Sequence, residues 1–247
     1  MSFDITLITC SYDTPKVTLT MLKSWKHINS NITNNLLLID NSTNEDTAEL
    51  LHESKIPFYR NPDGRHYEGV QIALDKCNTK YALLVDTDVI FKENLSAIVN
   101  TFIDSGCAIM GEECGDRGGS KLYTRIHPWF CFIDVEQVKN KNIKFINMDK
   151  IIKTNSGRFY SAIPTSSVVN GKKYDVGATF YEDIIENGLK AFNIKLDPKY
   201  YFHYEGLSWQ GKSGNAQLIE INRRNLIYYS KEEMKLQHEA LSDWYTI

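Results

Sequence analysis

The feature that most restricts the fold of this 247-residue chain is the alternation of short apolar runs with amphipathic segments between residues 1 and 110. The apolar runs predict strands at Ile5–Thr9, Leu36–Ile39, Pro57–Tyr59, Tyr81–Val85 and Cys107–Met110. Between them, Val70–Cys77 places apolar side chains at helical spacing, and Thr14-Pro15 has the hydroxyl and proline that begin many helices. Strands separated by helices predict βαβ crossovers, and hence an α/β fold with a largely parallel sheet.

The second half of the sequence is less regular. Predicted strands lie at Trp129–Ile133 and Tyr200–His203, and predicted helices at Thr179–Ala191 and Asn215–Leu241. Gly111–Arg125, rich in glycine and charge, is expected to be a loop or lid, and Asn155–Lys173 a long connection. No repeat or linker divides the chain, so we expect one domain spanning residues 1–247 with a crevice between its halves.

Composition excludes several classes of protein. The net charge is −3 with no long run of either sign, which argues against a nucleic-acid partner. No stretch approaches 18 apolar residues, so we expect no transmembrane segment, and the polar N-terminus does not suit a signal peptide. The five scattered cysteines indicate reduced thiols and a cytoplasmic location.

The sharpest chemical signal is Asp86-Thr87-Asp88, which directly follows the apolar strand Tyr81–Val85. Residues two apart in an extended chain point to the same side, so both carboxylates can face the crevice at the carboxyl end of the strand. Two like charges are costly there unless a cation compensates them, and a divalent ion can bind carboxylate and phosphate oxygens together. The alternative interpretation is a solvated loop after a strand.

Two further polar segments are candidates for nucleotide contacts. Asp40-Asn41 follows the second strand, where an acid commonly accepts a hydrogen bond from a nucleoside, although a turn or cap is an alternative. Arg65 and the free N–H groups before the Val70–Cys77 helix could hold phosphate oxygens. His66 and Gly69 belong to the same segment, and Gly69 would permit a close backbone approach. A plain loop with a helix cap is the alternative interpretation.

Taken in order, Thr9-Cys10-Ser11-Tyr12, Asp40-Asn41, the glycine-bearing loop and Asp86-Thr87-Asp88 resemble the GT-A glycosyltransferases, particularly the family-2-like group. The resemblance implies a mixed, mostly parallel central sheet flanked by helices. It also implies that the first loop and Asp40 contact the nucleotide and that Asp86 contacts the ribose or a metal. Asp88 would be a direct ligand of Mn²⁺ or Mg²⁺. Residues 1–110 would form the nucleotide-sugar-binding half, and residues 111–247 the acceptor and catalytic half.

A late histidine extends this resemblance. Tyr201–Trp209 is similar to the His-bearing segment of these enzymes, which would make His203 another metal ligand. Neutral imidazole suits Mn²⁺ better than Mg²⁺. A hydrogen-bonded histidine at a strand end is the alternative interpretation.

The resemblance also suggests a catalytic base. Asp175 precedes a predicted helix, where a carboxylate of the inverting members deprotonates the acceptor hydroxyl. Asp183 and Glu182 are the alternates. Thr179 and Glu182 have the spacing of a capping box, and acids in the first turn of a helix are stabilised by its dipole. Because Asp175 lacks such an explanation, we expect it to be the base.

The sequence therefore predicts a metal-dependent, inverting glycosyltransferase with a nucleotide-diphospho-sugar donor, UDP being the usual nucleotide of the family it resembles. His127 and Trp129 would lie on the acceptor side, although a tryptophan beside a strand is often a core residue. The acceptor could be a glycan, a lipid-linked molecule or a protein. A nucleotidyltransferase is one alternative, but Thr9–Lys16 lacks the glycines that hold a triphosphate. A non-catalytic nucleotide-sugar-binding domain, the other alternative, would have little need for Asp175.

Overall fold

A computed structural model of the protein describes residues 3–33, 35–43, 45–62, 64–115, 123–150, 167–169 and 172–203. The strands are β1 (Ile5–Ser11), β2 (Leu36–Asp40), β3 (Tyr59–Arg60), β4 (Tyr81–Val85), β5 (Val89–Phe91), β6 (Ile109–Cys114), β7 (Arg125–Asp134), β8 (Ser167–Val169), β9 (Lys172–Tyr174), β10 (Ala191–Asn193) and β11 (Tyr201–His203). The helices are α1 (Pro15–Asn29), α2 (Asp46–Glu53), α3 (His66–Lys76), α4 (Ser96–Ser105), α5 (Val135–Asn140) and α6 (Ala178–Glu186).

A seven-stranded sheet in the order β10-β6-β7-β4-β1-β2-β3 forms the centre of the protein. Strands β4, β1, β2 and β3 pair in parallel, as do β10 and β6. Strand β7 lies antiparallel between β4 and β6. The predicted α/β fold with a mixed, mostly parallel sheet is confirmed. Two short antiparallel pairs, β5 with β11 and β8 with β9, lie outside this sheet.

Helices cover both faces of the central sheet because successive residues of its central strands, which point to opposite faces, are apolar. Leu7, Leu83 and Phe132 point to one face and pack with residues of α1, α2 and α4. Their neighbours in sequence, Ile8, Leu84 and Ile133, point to the other face and pack with α3, α5 and α6. These central strands are buried on both faces, as expected for a parallel sheet with helical crossovers.

The elements of the first half agree with the sequence prediction, with shifted ends. Strand β4 has the predicted bounds, and β1 and β2 extend to Ser11 and Asp40. The helix predicted at Val70–Cys77 begins earlier, at His66, because an oxygen of the Glu68 carboxylate accepts a hydrogen bond from the backbone N–H of Arg65 over 2.8 Å. That bond satisfies a donor at the start of α3.

The predicted loop at Gly111–Arg125 is wrong at both ends. Gly111–Cys114 continues β6, and Arg125 begins β7, with which β6 pairs. The glycine serves close packing: a Cβ at Gly111 would lie 2.6 Å from Cγ2 of Ile126. Residues 116–122 of this stretch lie outside the described residues.

Three other predictions in the second half need correction or fall outside the structure. The predicted connection Asn155–Lys173 contains β8 and most of β9, and its residues 155–166 are not among those described. The helix predicted to reach Ala191 ends at Glu186, where the left-handed Gly188 (φ 71°) follows, and Ala191 begins β10. The helix predicted at Asn215–Leu241 lies outside the described residues.

None of the helices in the described ranges combines the length and the apolar character needed to cross a bilayer.

Candidate functional site

Three parallel strands end at the same edge of the central sheet and bring polar residues there. Strands β1 and β2 pair with Ser11 beside Asp40, and β4 leads directly into Asp86. The carboxyl ends of parallel strands are where open α/β sheets bind ligands. The candidate site is built on this edge.

Asp86, Asp88 and His203 come together beside the end of β4. One potential ligand atom from each lies within 4.8 Å of those from the others. The backbone N–H of Asp86 donates to the carbonyl oxygen of Trp129 in β7, at 2.9 Å, which holds this end of the group in place. His203 arrives through the pairing of β11 with β5, in which it lies opposite Val89.

The histidine is held on both sides. Its Nε2 lies 3.3 Å from Oδ1 of Asp88, whose side chain is fully buried. Its ring stacks on Trp129, with centroids 4.2 Å apart and planes inclined by 17°. Trp129 therefore has a contact that the sequence did not predict, since it supports a member of this group as well as packing beside Phe130.

The chemistry of these three residues fits a divalent cation. Two carboxylates supply hard oxygen donors and the imidazole supplies a nitrogen, a set suited to Mn²⁺ and usable by Mg²⁺. Asp88 is buried beside a second carboxylate, and a bound cation would offset that arrangement of like charges. The sequence prediction that Asp86, Asp88 and His203 bind metal is compatible with this geometry and stays a prediction.

The start of α3 approaches one of these carboxylates, that of Asp86. Nε2 of His66, the first residue of the helix, lies 3.3 Å from Oδ1 of Asp86. Arg65 donates from its Nη1 to the hydroxyl of Tyr67 over 3.3 Å. Gly69 lies inside the helix, where a Cβ would meet the Asn41 amide at 2.8 Å. Its small size therefore allows α3 to pack against the ends of β1 and β2, and its predicted part in nucleotide-sugar binding stays a prediction.

Asp40, the predicted nucleoside contact, is fully buried. One carboxylate oxygen accepts from Nη1 of Arg60, and the other accepts from the N–H and hydroxyl of Ser42. Arg60 also donates to Glu45 over 2.8 Å. Both carboxylate oxygens of Asp40 thus have partners within the protein, and its contact with a nucleoside stays a prediction.

The other predicted nucleotide contacts at this edge are mostly buried. Thr9, Cys10 and Ser11 belong to β1, and the Ser11 hydroxyl lies 2.8 Å from that of Thr18. Tyr12 is half-buried, Thr87 is buried, and Asn41 is held by its amide, which accepts from Asn61 over 2.8 Å. Of these predicted residues, Tyr12 leaves the most side chain accessible to a ligand, and the roles of the set stay predictions.

The three candidate bases lie in different surroundings. Glu182 accepts from the Tyr174 hydroxyl over 2.8 Å and pairs with Lys150 at the same distance. Asp183 accepts from the Asn147 amide over 3.0 Å, and its side chain is 12% exposed. Asp175 has the most open side chain of the three, at 39% exposed.

The predicted capping box at Thr179 and Glu182 is wrong. Gly177, in the left-handed region with φ 82°, is the N-cap of α6, and the Thr179 hydroxyl instead accepts from the backbone N–H of Asn147. The expectation that Asp175 has no structural partner is also wrong. Its Oδ2 accepts from Nη2 of Arg125 over 2.6 Å.

Arg125 is the residue of this site that the sequence prediction missed. It begins β7, and the same strand carries His127, which is buried, and Trp129. The ring centroids of His127 and Trp129 are 6.3 Å apart. A single strand thus connects the Asp175 side of the site with the group around His203. The residue lies in a glycine-rich, charged stretch that is typical of a loop, and no local pattern indicated its partner.

Comparison with known proteins supports the fold. The sequence matches no protein-family model and no curated protein. Among solved structures, residues 1–349 of S. aureus TarS in complex with UDP-GlcNAc match with a TM-score of 0.51 and 13% identity, covering 97% of this chain and 71% of that one. The glycosyltransferase GlyE of Streptococcus pneumoniae TIGR4 matches with a TM-score of 0.51 and 10% identity, covering 79% of this chain and 46% of that one.

The chain spans 42% of the length of the longer crystallised TarS chain. The likeness concerns the fold, which the described strands and helices share with these enzymes. The protein has the fold of the GT-A glycosyltransferases, as its resemblance in sequence predicts.

Proposed function

We propose that this protein is a metal-dependent glycosyltransferase that transfers a sugar from a nucleotide-diphospho-sugar to an acceptor hydroxyl, with inversion at the anomeric carbon. The observation that carries the proposal is the meeting of Asp86, Asp88 and His203 within 4.8 Å at the carboxyl ends of the strands. On a GT-A fold, this edge is where a ligand of the sheet is expected to bind.

The donor is proposed to be a UDP-sugar. A structure with this fold was crystallised with UDP-GlcNAc, which supports a uridine nucleotide. The half formed by residues 1–110 carries the residues proposed for the donor: Thr9, Cys10, Ser11, Tyr12, Asp40, Asn41, Arg65, His66, Gly69, Asp86 and Thr87. Residues 111–247 are proposed to bind the acceptor, with His127 and Trp129 on that side.

The metal is proposed to be Mn²⁺ or Mg²⁺, held by Asp86, Asp88 and His203. When bound, such an ion supplies a Lewis acid that neutralises charge on the diphosphate leaving group. The protein's own contribution is to orient these ligands. The hydrogen bond from the Asp86 N–H to Trp129 and the ring stack on His203 support this orientation.

Asp175 is proposed to be the base. Glu182 and Asp183 both pair with Lys150, and each has a further hydrogen-bond donor, so both have structural partners in the same cluster. Asp175 is more open, and it lines a small cleft with Tyr67, the neighbour of His66 in α3. In the proposed step, Asp175 takes the acceptor proton while the acceptor oxygen bonds to the anomeric carbon and the bond to the diphosphate breaks.

The proposal is tested by calorimetric titration of the protein with UDP-sugars, with and without Mn²⁺. We expect measurable binding only with the ion, and its loss in Asp88→Asn. A protein that bound no nucleoside diphosphate under any metal condition would not be an enzyme of this kind.

Identification of the released product tests the class of reaction. A glycosyltransferase releases the nucleoside diphosphate, whereas a nucleotidyltransferase releases pyrophosphate. Slow hydrolysis of the donor without acceptor would separate an enzyme from a non-catalytic binding domain. Release of pyrophosphate would refute the proposed reaction but would not contradict the proposed metal site.

A further inference from the structure

Arg125 carries a buried positive charge, and Asp175 is its counter-charge among the described residues. Its side chain is 6% exposed, and its Nη2 donates to Oδ2 of Asp175 over 2.6 Å. Its Nε and Nη1 are buried as well, and no group in the described part of the chain accepts a hydrogen bond from them. Because a buried guanidinium without a counter-charge is costly, the side chain of Arg125 depends on Asp175.

Arg125 depends on Asp175 more than Asp175 depends on Arg125, since the carboxylate is open to solvent and the guanidinium is not. Asp175 is 39% exposed while Arg125 is almost wholly covered. The pair of Lys150 and Asp183 is different, because both side chains are largely covered, at 17% and 12% exposed. The Arg125–Asp175 pair thus holds a carboxylate from beneath and leaves one side of it accessible.

The carboxylate of Asp175 is held at both oxygens. Oδ2 accepts from Arg125, and Oδ1 accepts from the backbone N–H of Val176 over 2.8 Å. Each carboxylate oxygen has a second lone pair, so these bonds fix the orientation of the group without using its capacity to accept a proton. The following residue, Gly177, packs beside Pro128, where a Cβ would lie 3.6 Å from the proline ring, so the segment is anchored to the same strand as Arg125.

We propose that Arg125 is a positioning residue, which fixes the carboxylate of Asp175 toward the acceptor hydroxyl and does not itself touch the substrate. The inference rests on the proposed function, because it takes Asp175 as the base. Arg125 stays charged throughout; the proton passes from the acceptor to Asp175, and the electron pair of the broken bond leaves with the diphosphate.

The first test is a pair of substitutions, Arg125→Met and Arg125→Lys. Since a displacement of about 1 Å in a catalytic group can cost about 100-fold in rate, we expect Arg125→Met to lower kcat for transfer by about 100-fold. Arg125→Lys keeps the charge but loses the planar donor, so about a tenfold loss is expected. The Kd of the UDP-sugar with Mn²⁺, measured by calorimetry, should stay within about twofold of the wild-type value. Loss of positioning of the base lowers kcat, whereas donor binding does not depend on it.

A double-mutant cycle separates positioning from a general effect on the fold. If Arg125 acts through Asp175, the double variant Arg125→Met/Asp175→Asn should transfer no more slowly than Asp175→Asn alone. The double variant removes both charges, so it avoids the unpaired buried guanidinium that Asp175→Asn leaves. Additive losses, or equal losses of donor binding and of transfer in Arg125→Met, would overturn the inference.

Lys150→Met is the matched control, since Lys150 is a covered cation that pairs with Glu182 and Asp183. It should lower the melting temperature and leave kcat for transfer within about twofold of the wild type, because ion pairs away from the reacting atoms affect mainly stability. A loss of transfer equal to that of Arg125→Met would refute a specific role for Arg125. If Asp175→Asn transfers normally, the proposed base is wrong; if it is inactive while Arg125→Met is fully active, only the positioning role is wrong.

Discussion

Replacement of Asp88 by asparagine should raise the stability of the metal-free protein and lower its stability, relative to the wild type, when a metal is bound. Asp88 is buried, and its ligand atom lies within 4.8 Å of that of Asp86. At the largest separation that this allows, 4.8 Å, two negative charges repel by about 3 kcal/mol at an effective dielectric constant of 20 and by about 1 kcal/mol in water. Because Asp86 is partly exposed, the lower part of this range applies, and we take about 1–2 kcal/mol.

Without metal, Asp88→Asn should therefore unfold at a higher temperature than the wild type. For a chain of this length, about 1 kcal/mol corresponds to about 2–4 °C in Tm. With Mn²⁺ at about 100 times its Kd, the wild type gains about 2.7 kcal/mol and the variant gains nothing, so the order of the two Tm values reverses. Scanning calorimetry of both proteins, with and without Mn²⁺, measures the two Tm values.

Asp183→Asn is the control for this experiment. Its carboxylate pairs with Lys150 and accepts from Asn147, so its removal should lower Tm with and without Mn²⁺. Two results would refute the reasoning about Asp88. One is an apo Asp88→Asn protein that is clearly less stable than the apo wild type; the other is a wild-type Tm that does not respond to Mn²⁺.

Three further predictions concern single residues. His66→Asn should weaken Mn²⁺ binding about tenfold, as loss of a group that orients a metal ligand commonly does; calorimetric titration would show this, and an unchanged Kd would contradict it. Gly177→Ala should lower the free energy of unfolding by about 1–2 kcal/mol in denaturant titrations, because φ is 82° there, and unaltered stability would mean that the backbone relaxes. Burial raises the pKa of the Cys10 and Cys131 thiols, which leaves less thiolate at neutral pH. Only the half-buried Cys114 should therefore react rapidly with a disulfide reagent. A fast phase that persists in Cys114→Ser would refute this.

The sequence predicted the parts of the metal group but could not predict their contacts. Asp86 and Asp88 stand out because they follow an apolar strand, and His203 because it ends a short one. Their meeting depends on the pairing of β5 with β11, which joins three-residue strands far apart in the chain. Strands this short leave little periodicity to detect.

The ion-pair partners of charged residues are the main feature of the site that the sequence did not predict. The ion pairs Asp40–Arg60 and Arg125–Asp175 each join residues from different strands or loops, and neither has a spacing that local rules describe. Both change the interpretation of the acid involved: one carboxylate is covered, and the other is held in an exposed position. Charge pairing across a sheet depends on three-dimensional register, which a single sequence does not contain.

The position of β11 at the end of the described chain links cation binding to folding. His203 completes the group only when β11 docks on β5, so an ion held by all three residues would fasten the end of the described chain to its middle. By linkage, an ion that binds only the docked state must stabilise the docking. Slower amide hydrogen exchange in Tyr201–His203 and Val89–Phe91 on addition of Mn²⁺ would be the direct sign of this fastening.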